Sequence, residues 1–408
     1  MTTADAVEAA ARNSYSRLLA FLVSRSRDVA AAEDALGDAF LAALKSWPAA
    51  GIPAKPEAWL LTAARRRLID GARHTRVHDE TVPTLIAAAE EAKDLTTSDL
   101  VFPDERLKLL FVCAHPAIDP AAHTPLMLQT VLGLDAIRIG SAFLVRPATM
   151  GQRLSRAKTK IRDAGIGFQV PEAGELSSRL NAVLEAIYAA YGSGWDNIAG
   201  GDSRRKGLAR EAVSLGRLLL ELCPAQPEVR GLLALMLHCE ARKEARRTAD
   251  GGYVPLSNQD VTRWSQPLID EAEQLLFAAA QSNQIGRFQL EAAIQSAHAG
   301  RAKVGRTDWA GIASLYEGLV RVAPTVGAFV GRAAAVAESQ GAPAGWALLQ
   351  TIPADAVASY QPYWALTAHL LQQMQRFEEA GSNYSRAAGL CEDPAMREFL
   401  LRKIVPQL

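Results

Sequence analysis

The segment from Pro147 to Ile161 carries cationic and hydrogen-bonding side chains at helical spacing. Apolar residues at i, i+4, i+7 and i+11 predict a buried stripe that consists of Met150, Leu154, Ala157 and Ile161. The opposite face consists of Thr149, Gln152, Arg153, Arg156 and Lys160. A helix that binds in a major groove needs one face packed against its own protein. Its opposite face must carry side chains that contact bases and phosphates. The spacing therefore predicts DNA binding by this face.

A shorter helix and a turn precede this segment. The shorter helix is predicted to end near Phe143, and Pro147 suits the first position of the next helix because that position needs no N–H. From Arg138 to Arg162 there are seven bases and no acid. Because no acid balances them, these charges favour a polyanion partner over an ordinary solvated helix.

A second basic segment, residues 56–76, is predicted to be helical, with Pro56 just before or at the helix start. From Trp59 to His78 there are five arginines and one acid, Asp70. The predicted apolar stripe consists of Leu60, Ala64 and Leu68, and the side chains expected to lie outside are Arg65, Arg66 and Arg73. Trp59 fits either the core or a platform on which a base stacks.

Residues 31–47 combine an apolar helical face with acids. The predicted apolar face consists of Leu36, Phe40, Ala43, Leu44 and Trp47. Asp34 and Asp38 stand opposite, with Glu33 at the margin, and no base occurs between Asp28 and Asp38. Acids on a rigid helix can dock on a basic partner, although a solvated face is the alternative.

The C-terminal half contains polar clusters but no predicted active site. Glu291, Gln295 and His298 share a helix face, and His238 and Glu240 flank a cysteine. No nucleophile–base pair, metal-ligand spacing or phosphate loop accompanies them, so we predict satisfied core or groove-lining histidines, no enzyme, no metal and no cofactor. The widely spaced cysteines predict thiols of a reducing compartment, and they are Cys113, Cys223, Cys239 and Cys391.

Helices must position all of these groups. The 408 residues are 49% hydrophobic, and apolar residues recur at helical spacing while strand patterns are nearly absent, which predicts an all-α fold. The 44 bases balance 44 acids overall, but an acidic stretch from Asp79 to Glu105 separates the two basic segments. No apolar run reaches the roughly 18 residues of a membrane span and no export signal begins the sequence, so we expect a cytoplasmic protein.

These three segments, in this order, resemble the extracytoplasmic-function (group IV) sigma factors of the sigma-70 family, over roughly residues 8–165. The resemblance implies a region-two helical domain at 1–78, an acidic linker at 79–103 and a region-four helix-turn-helix domain at 104–166. It also implies two partners: core RNA polymerase, bound through its β′ clamp helices and β flap, and promoter DNA.

The resemblance assigns roles to individual residues. The implied polymerase contacts are Glu33, Asp34, Asp38 and Leu41. The implied contacts to the −10 element are Trp59, Arg65, Arg66, Asp70, Arg73 and Arg76. The implied contacts to the −35 element are Thr149, Gln152, Arg153, Arg156, Lys158 and Lys160. Two residues depart from the family pattern, because Gly37 stands where Gln is usual and Arg66 where Asn is common.

Residues 175–408 extend beyond the minimal two-domain sigma factor. An amphipathic helix is predicted at the start of this extension, with an apolar face of Leu180, Leu184, Ile187 and Tyr191. Segments 309–324 and 375–388 are similar to tetratricopeptide (TPR) repeats, whose stacked helix pairs form a groove for partners. A sigma subgroup with such an extension carries an Asp-Gly-Gly motif, and Asp250-Gly251-Gly252-Tyr253 resembles it, although a tight turn explains it equally well.

The sequence thus predicts a sigma factor whose C-terminal helical-repeat domain regulates it in cis, through a protein or small-molecule effector. One alternative is a one-component helix-turn-helix regulator with a TPR-like sensing domain. Another is a scaffold that binds peptides and RNA. The acidic helix from Glu33 to Asp38 favours the sigma factor, because an operator-binding repressor has no use for it.

Overall fold

The computed structural model describes residues 3–74, 105–143, 145–195 and 208–404. No β-strand occurs in these ranges, where one isolated antiparallel bridge joins Arg247 and Tyr253. The predicted all-α fold is confirmed. The first helices are α1 (Thr3–Ser26), α2 (Val29–Ala50), α3 (Pro56–His74), α4 (Arg106–Cys113), α5 (Pro120–Thr130), α6 (Ala136–Ala142), α7 (Pro147–Asp163) and α8 (Ala173–Trp195).

The later helices alternate with short loops. They are α9 (Leu208–Leu222), α10 (Pro227–Ala241), α11 (Gln266–Ala280), α12 (Arg287–Ala299), α13 (Arg301–Val304), α14 (Trp309–Val322), α15 (Val326–Gln340), α16 (Ala342–Leu349), α17 (Ala354–Val357), α18 (Gln361–Gln373), α19 (Phe377–Leu390) and α20 (Pro394–Arg402). Short 3₁₀ turns at Lys243–Arg246, Leu256–Asn258 and Val261–Arg263 lie between α10 and α11.

The chain divides into two compact units, residues 1–190 and 191–408. The expected start of the C-terminal extension, residue 175, thus falls inside the first unit. Two hydrogen bonds explain this position of α8: Arg179 donates to the carbonyl of Phe111 at 2.6 Å, and Thr124 donates to the carbonyl of Ala186 at 2.8 Å. The predicted apolar face of α8 is confirmed, because its four residues are buried.

In the first unit, α1, α2 and α3 pack together, α1 also contacts α4, and α7 packs on both α2 and α5. Asp28 caps α2, since its side chain accepts from Ala31 N at 3.1 Å. The core includes Trp47 of α2 and Phe111 of α4, both buried almost completely. α7 is therefore packed directly against α2, one of the three N-terminal helices.

The predicted helix boundaries around α7 are confirmed. α6 ends at Ala142, α7 begins at Pro147, and its predicted apolar stripe is buried. After α7 the chain turns at Gly165, whose φ of 60° lies in the left-handed region that favours glycine. This turn lies between α7 and α8.

In the second unit, helices that are neighbours in sequence pack side by side. The main pairs are α10 with α11, α14 with α15, and α18 with α19, and α10 also packs closely on α12. Asp308 caps α14 and Thr325 caps α15 through their side chains. The two segments that resemble repeat units, 309–324 and 375–388, thus coincide with α14 and α19.

Candidate functional site

The polar face of α7 lines an open cleft. Thr149, Gln152, Arg156 and Lys160 are exposed and Arg153 is half-buried, while the apolar stripe beneath them is buried. All five side chains border one cleft of about 440 Å³, together with Asp119 at the start of α5. Five of the six residues assigned to the −35 element therefore share one accessible, cationic surface.

A close backbone approach sets the turn between α6 and α7. Val145 N donates to the carbonyl of Gly140 at 2.8 Å. A Cβ at residue 140 would stand 2.8 Å from the Val145 carbonyl oxygen and 3.3 Å from Cβ of Met150. Glycine at this position therefore allows α7 to start close to α6, which orients the cationic face.

Lys158, the sixth residue assigned to the −35 element, lies on another side of α7. Its ammonium forms an ion pair with Glu33 of α2, and the two side chains are only 11% and 14% exposed. Burial raises the pKa of the Glu33 carboxyl, while Lys158 lowers it. Arg162 adds a weaker contact to Asp28 at 3.8 Å. An assigned DNA contact and an assigned polymerase contact thus face each other.

The remaining polymerase-assigned residues form an exposed strip along α2. Asp34 and Asp38 are exposed, and Leu41 is 55% exposed. Leu44, expected on the buried face, is also exposed, and that expectation is wrong because alanines fill the contact with the neighbouring helices. The strip, defined as Asp34, Asp38, Leu41 and Leu44, therefore combines two carboxylates with two exposed leucines.

The −10 residues of α3 divide between interior and surface. Arg65 is buried, with its guanidinium 4.8 Å above the ring of Phe21, so its expected position outside the fold is wrong. Its alkyl stem and planar head pack on α1, which spacing within α3 does not reveal. Trp59 packs edge-on against Trp47 at 5.5 Å and is partly exposed.

Arg66 and Asp70 are exposed on α3 and remain accessible. Sequence reasoning gave no role to the neighbouring Arg67, which is exposed and lies 3.8 Å from Asp38 of the α2 strip. The available signal in the sequence was the position of Arg67 directly after Arg65 and Arg66. The side chain of Arg73, all of Arg76 and the acidic linker 79–103 lie outside the described residues.

The motif residues 250–253 form a tight turn. Gly251 has φ 88° and donates from its N–H to the carbonyl of Thr248 at 3.0 Å. Asp250 is exposed, and a hydrogen bond from Thr248 lowers its pKa. Tyr253 packs edge-on against Phe399 at 5.4 Å, and the adjacent Arg247 forms a buried ion pair with Asp393. The turn thus presents Asp250 to solvent while Tyr253 anchors it.

Two histidines of the second unit lie in surroundings that disfavour their charged form. Burial, followed by the charge of Arg242, lowers the pKa of His238 to about 4, and the same two causes lead at His298. His238 was expected to be a satisfied core or groove-lining histidine; it is buried, but neither ring nitrogen has a hydrogen-bond partner among the described residues. In these ranges no group of three or more His, Cys, Asp or Glu could hold a metal ion.

The four cysteines are free thiols. Cys113 contacts the Thr130 hydroxyl at 3.3 Å, and burial raises its pKa to about 12. At neutral pH this thiol therefore stays protonated and unreactive.

Within the described ranges, no helix has both the length and the apolarity needed to cross a bilayer.

Comparisons with known proteins identify two parts of the chain. The family Sigma-70 region 2 matches residues 11–77, which contain most of α1 and all of α2 and α3. A family of unknown function (DUF6596) matches residues 179–280. No solved structure matches the chain at a significant level.

A full-length relative links these parts. An uncharacterized protein of Rhizobium meliloti (strain 1021) is 33% identical over 404 residues, which covers 98% of this chain and 95% of that protein. The chain therefore belongs to the same family as the Rhizobium meliloti protein, and its N-terminal part is a sigma-70 region 2 domain, which supports a sigma-70 family sigma factor.

Proposed function

We propose that this protein is an extracytoplasmic-function sigma factor that directs core RNA polymerase to promoters and initiates transcription in the cytoplasm. The observation that carries the proposal is the exposed strip of α2 inside the sigma-70 region 2 match. Two exposed leucines beside two carboxylates suit a partner that offers both apolar and basic groups. We assign this strip to the β′ clamp helices of the polymerase.

The cationic face of α7 reads the −35 element as the second helix of a helix-turn-helix. Support comes from its buried back, the short connection from α6 and the open cleft along Arg153 and Arg156. Arginine and glutamine side chains in a major groove discriminate base edges, and cations also bind phosphates. The domain that carries α7 would additionally contact the β flap.

The exposed residues of α3 open the −10 element. Arg66 and Asp70 are accessible for this role, and Trp59 is partly so. Opening requires bases to leave the stack at a few kcal/mol each, which capture of a flipped base offsets. Arg65 contributes by packing on Phe21, which fixes α3 against α1.

The ion pair between Glu33 and Lys158 leads us to include a conformational change in the proposal. Neither side chain can meet polymerase or DNA while the pair holds, because each is nearly buried. In our proposal α2 and α7 separate when the protein binds core polymerase, and this frees Glu33 for the clamp and Lys158 for the −35 phosphates.

Residues 191–408 act in cis as a TPR-like regulatory domain that takes a protein or small-molecule effector. Paired helices such as α14–α15 and α18–α19 support a helical-repeat architecture. Within it, the exposed carboxylate of Asp250 is the regulatory candidate, held out by Gly251, Gly252 and Tyr253. Asp250→Ala should change promoter output, whereas Asp260→Ala, an exposed acid that accepts a hydrogen bond from Thr262 in the same way, should not.

The proposal is tested by mixing the full chain with core polymerase that lacks sigma and a library of promoter fragments. Transcripts from defined start sites that require both components would support it. Specific DNA binding without polymerase, and no transcripts with it, would identify a one-component regulator instead. RNA binding with neither activity would identify a scaffold.

A further inference from the structure

A cluster of polar side chains lies between α10 and α12 in the second unit. His238 and Arg242 stand one turn apart at the end of α10, and Gln295 and His298 occupy the facing side of α12. Arg242 donates to the amide oxygen of Gln295 at 2.5 Å, which joins the two helices. His298 packs edge-on against Trp309 at 5.3 Å.

Arg242 is a buried cation that forms no ion pair with a carboxylate among the described residues. Arg242 is 7% exposed, and its Nη1 has no hydrogen-bond partner among the described residues. Besides Gln295, its only contact of this kind in these ranges is a long one, 3.8 Å, from Nη2 to Cys239 Sγ. A buried guanidinium left this way is energetically unfavourable. The fold therefore keeps an expensive charge that nothing in the described chain neutralises.

The charges around Arg242 do not compensate it. Arg301 adds a second positive charge, but its N–H groups already donate to the carbonyls of Ser257 and Gln259. An acid that borders the cluster is Glu273 of α11, which accepts from Ser296 at 2.6 Å and lies 3.5 Å from His238 Nε2. Neither histidine carries a charge at neutral pH.

We propose that Arg242, with His238, Gln295 and His298, binds the carboxylate of a small molecule. A guanidinium pairs with a carboxylate through two parallel hydrogen bonds, and Nη1 supplies the donor that now lacks an acceptor. The neutral imidazoles and the amide orient the ligand. Gln295 and His298 are partly exposed, so the ligand approaches along α12.

The charge count favours a carboxylate over a phosphate. Among the described charged groups of this cluster, Arg242 has a donor, Nη1, without an acceptor, and its one positive charge matches a monovalent anion. A phosphate dianion would keep an uncompensated charge in a buried site, which is unfavourable. Any regulatory effect of ligand binding rests on the proposed function, because the second unit acts on transcription only if the chain is a sigma factor regulated in cis.

The test is the thermal stability of the full chain with sodium acetate and sodium propionate, against sodium chloride and sodium phosphate at matched ionic strength. Carboxylates should raise the Tm along a saturable curve, while chloride gives no saturable rise and phosphate a smaller one. Arg242→Met should lose the carboxylate response and, without ligand, should melt higher than the wild type because a buried charge is gone. Arg242→Lys should bind at least tenfold more weakly, since it keeps the charge but not the two-donor geometry.

Arg332→Met is the matched control. Arg332 of α15 pairs with Glu317 at 2.8 Å, so its loss should lower the Tm and leave the carboxylate response intact. Gln295→Leu, at a partly exposed position, serves as a second test variant if Arg242→Met fails to fold. It should weaken the rise in Tm that carboxylates cause. A response to chloride or phosphate equal to that of carboxylates, no saturable response, or one that survives in Arg242→Met or Gln295→Leu would overturn the proposal. Because the assay contains neither polymerase nor promoter, a negative result leaves the sigma-factor proposal untouched.

Discussion

Loss of the ion pair between Glu33 and Lys158 should destabilise the first unit strongly. The side chains are 14% and 11% exposed, and Glu33 Oε1 has no hydrogen-bond partner in the described ranges. Lys158→Met leaves a buried carboxylate without its counter-charge, which should lower the free energy of unfolding by about 3–5 kcal/mol near neutral pH. Glu33→Gln combined with Lys158→Met removes both charges, so this double variant should be within about 1 kcal/mol of the wild type or more stable.

The decrease in unfolding free energy caused by Lys158→Met should depend on pH. Burial already raises the pKa of Glu33, and Lys158 opposes that rise, so the variant's pKa lies higher still. The folded variant then keeps the Glu33 proton at pH values where the unfolded chain has released it. Stability therefore falls as pH rises above the unfolded pKa of about 4.3 and returns on acidification. Part of the deficit at pH 7.5 should disappear at pH 5.

Urea unfolding of the full chain measures these differences, with hydrogen exchange of peptides from α2 and α7 as the local reading. Arg67→Met is the control, because Arg67 and Asp38 pair at 3.8 Å but are both more than half exposed. Such a surface pair contributes under about 1 kcal/mol. Equal losses in Lys158→Met and Arg67→Met, or a deficit that is the same at both pH values, would refute this reasoning.

Three further variants test other parts of the first unit. Arg153→Ala with Arg156→Ala should weaken binding to the −35 element and make the slope of log K against log salt less negative by about 1.8, as measured by anisotropy at several salt concentrations. Gly37→Ala should raise the unfolding free energy by about 0.5–1 kcal/mol, because a Cβ there meets nothing within 4 Å on a helix. Gly140→Ala should lower both stability and −35 affinity, because the new Cβ would crowd the carbonyl of Val145.

Each of these variants has a control. Lys45→Ala removes an exposed cation from α2 and should leave the salt slope unchanged; an equal change there would contradict the assignment of the α7 face. Gly133→Ala should destabilise where Gly37→Ala stabilises, because Gly133 has φ 67° and the Tyr15 ring lies 3.2 Å from the added Cβ. Gly151→Ala, with open space on α7, should not reproduce the loss seen with Gly140→Ala.

Local periodicity predicted much of the fold. The buried stripe of α7 and the helix starts at Pro56 and Pro147 follow from spacing and from proline's missing N–H, and both are confirmed. The apolar face of α8 is also confirmed. These features depend on residues within one helix, so a short stretch of sequence contains the information.

Contacts between distant helices could not be predicted in this way. Arg65 adjoins the apolar stripe of α3, and whether it faces solvent depends on Phe21, which lies on α1. Glu33 and Lys158 are 125 residues apart, and neither helix alone marks them as partners. The α2 face was misjudged at Leu44 because alanines allow the neighbouring helices to approach closely and leave the leucine outside.

The central claim is that the α2 strip binds the β′ clamp helices, and the most direct measurement is the affinity of the full chain for core polymerase. Burying the exposed half of Leu41 contributes about 1 kcal/mol, and Leu41→Asp also places a charge in the contact, so this variant should bind at least about tenfold more weakly. Leu401→Asp is the control, since Leu401 is 47% exposed on α20, and it should bind like the wild type. Failure of the wild-type chain to bind core polymerase, or equal affinities for the two variants, would contradict the account.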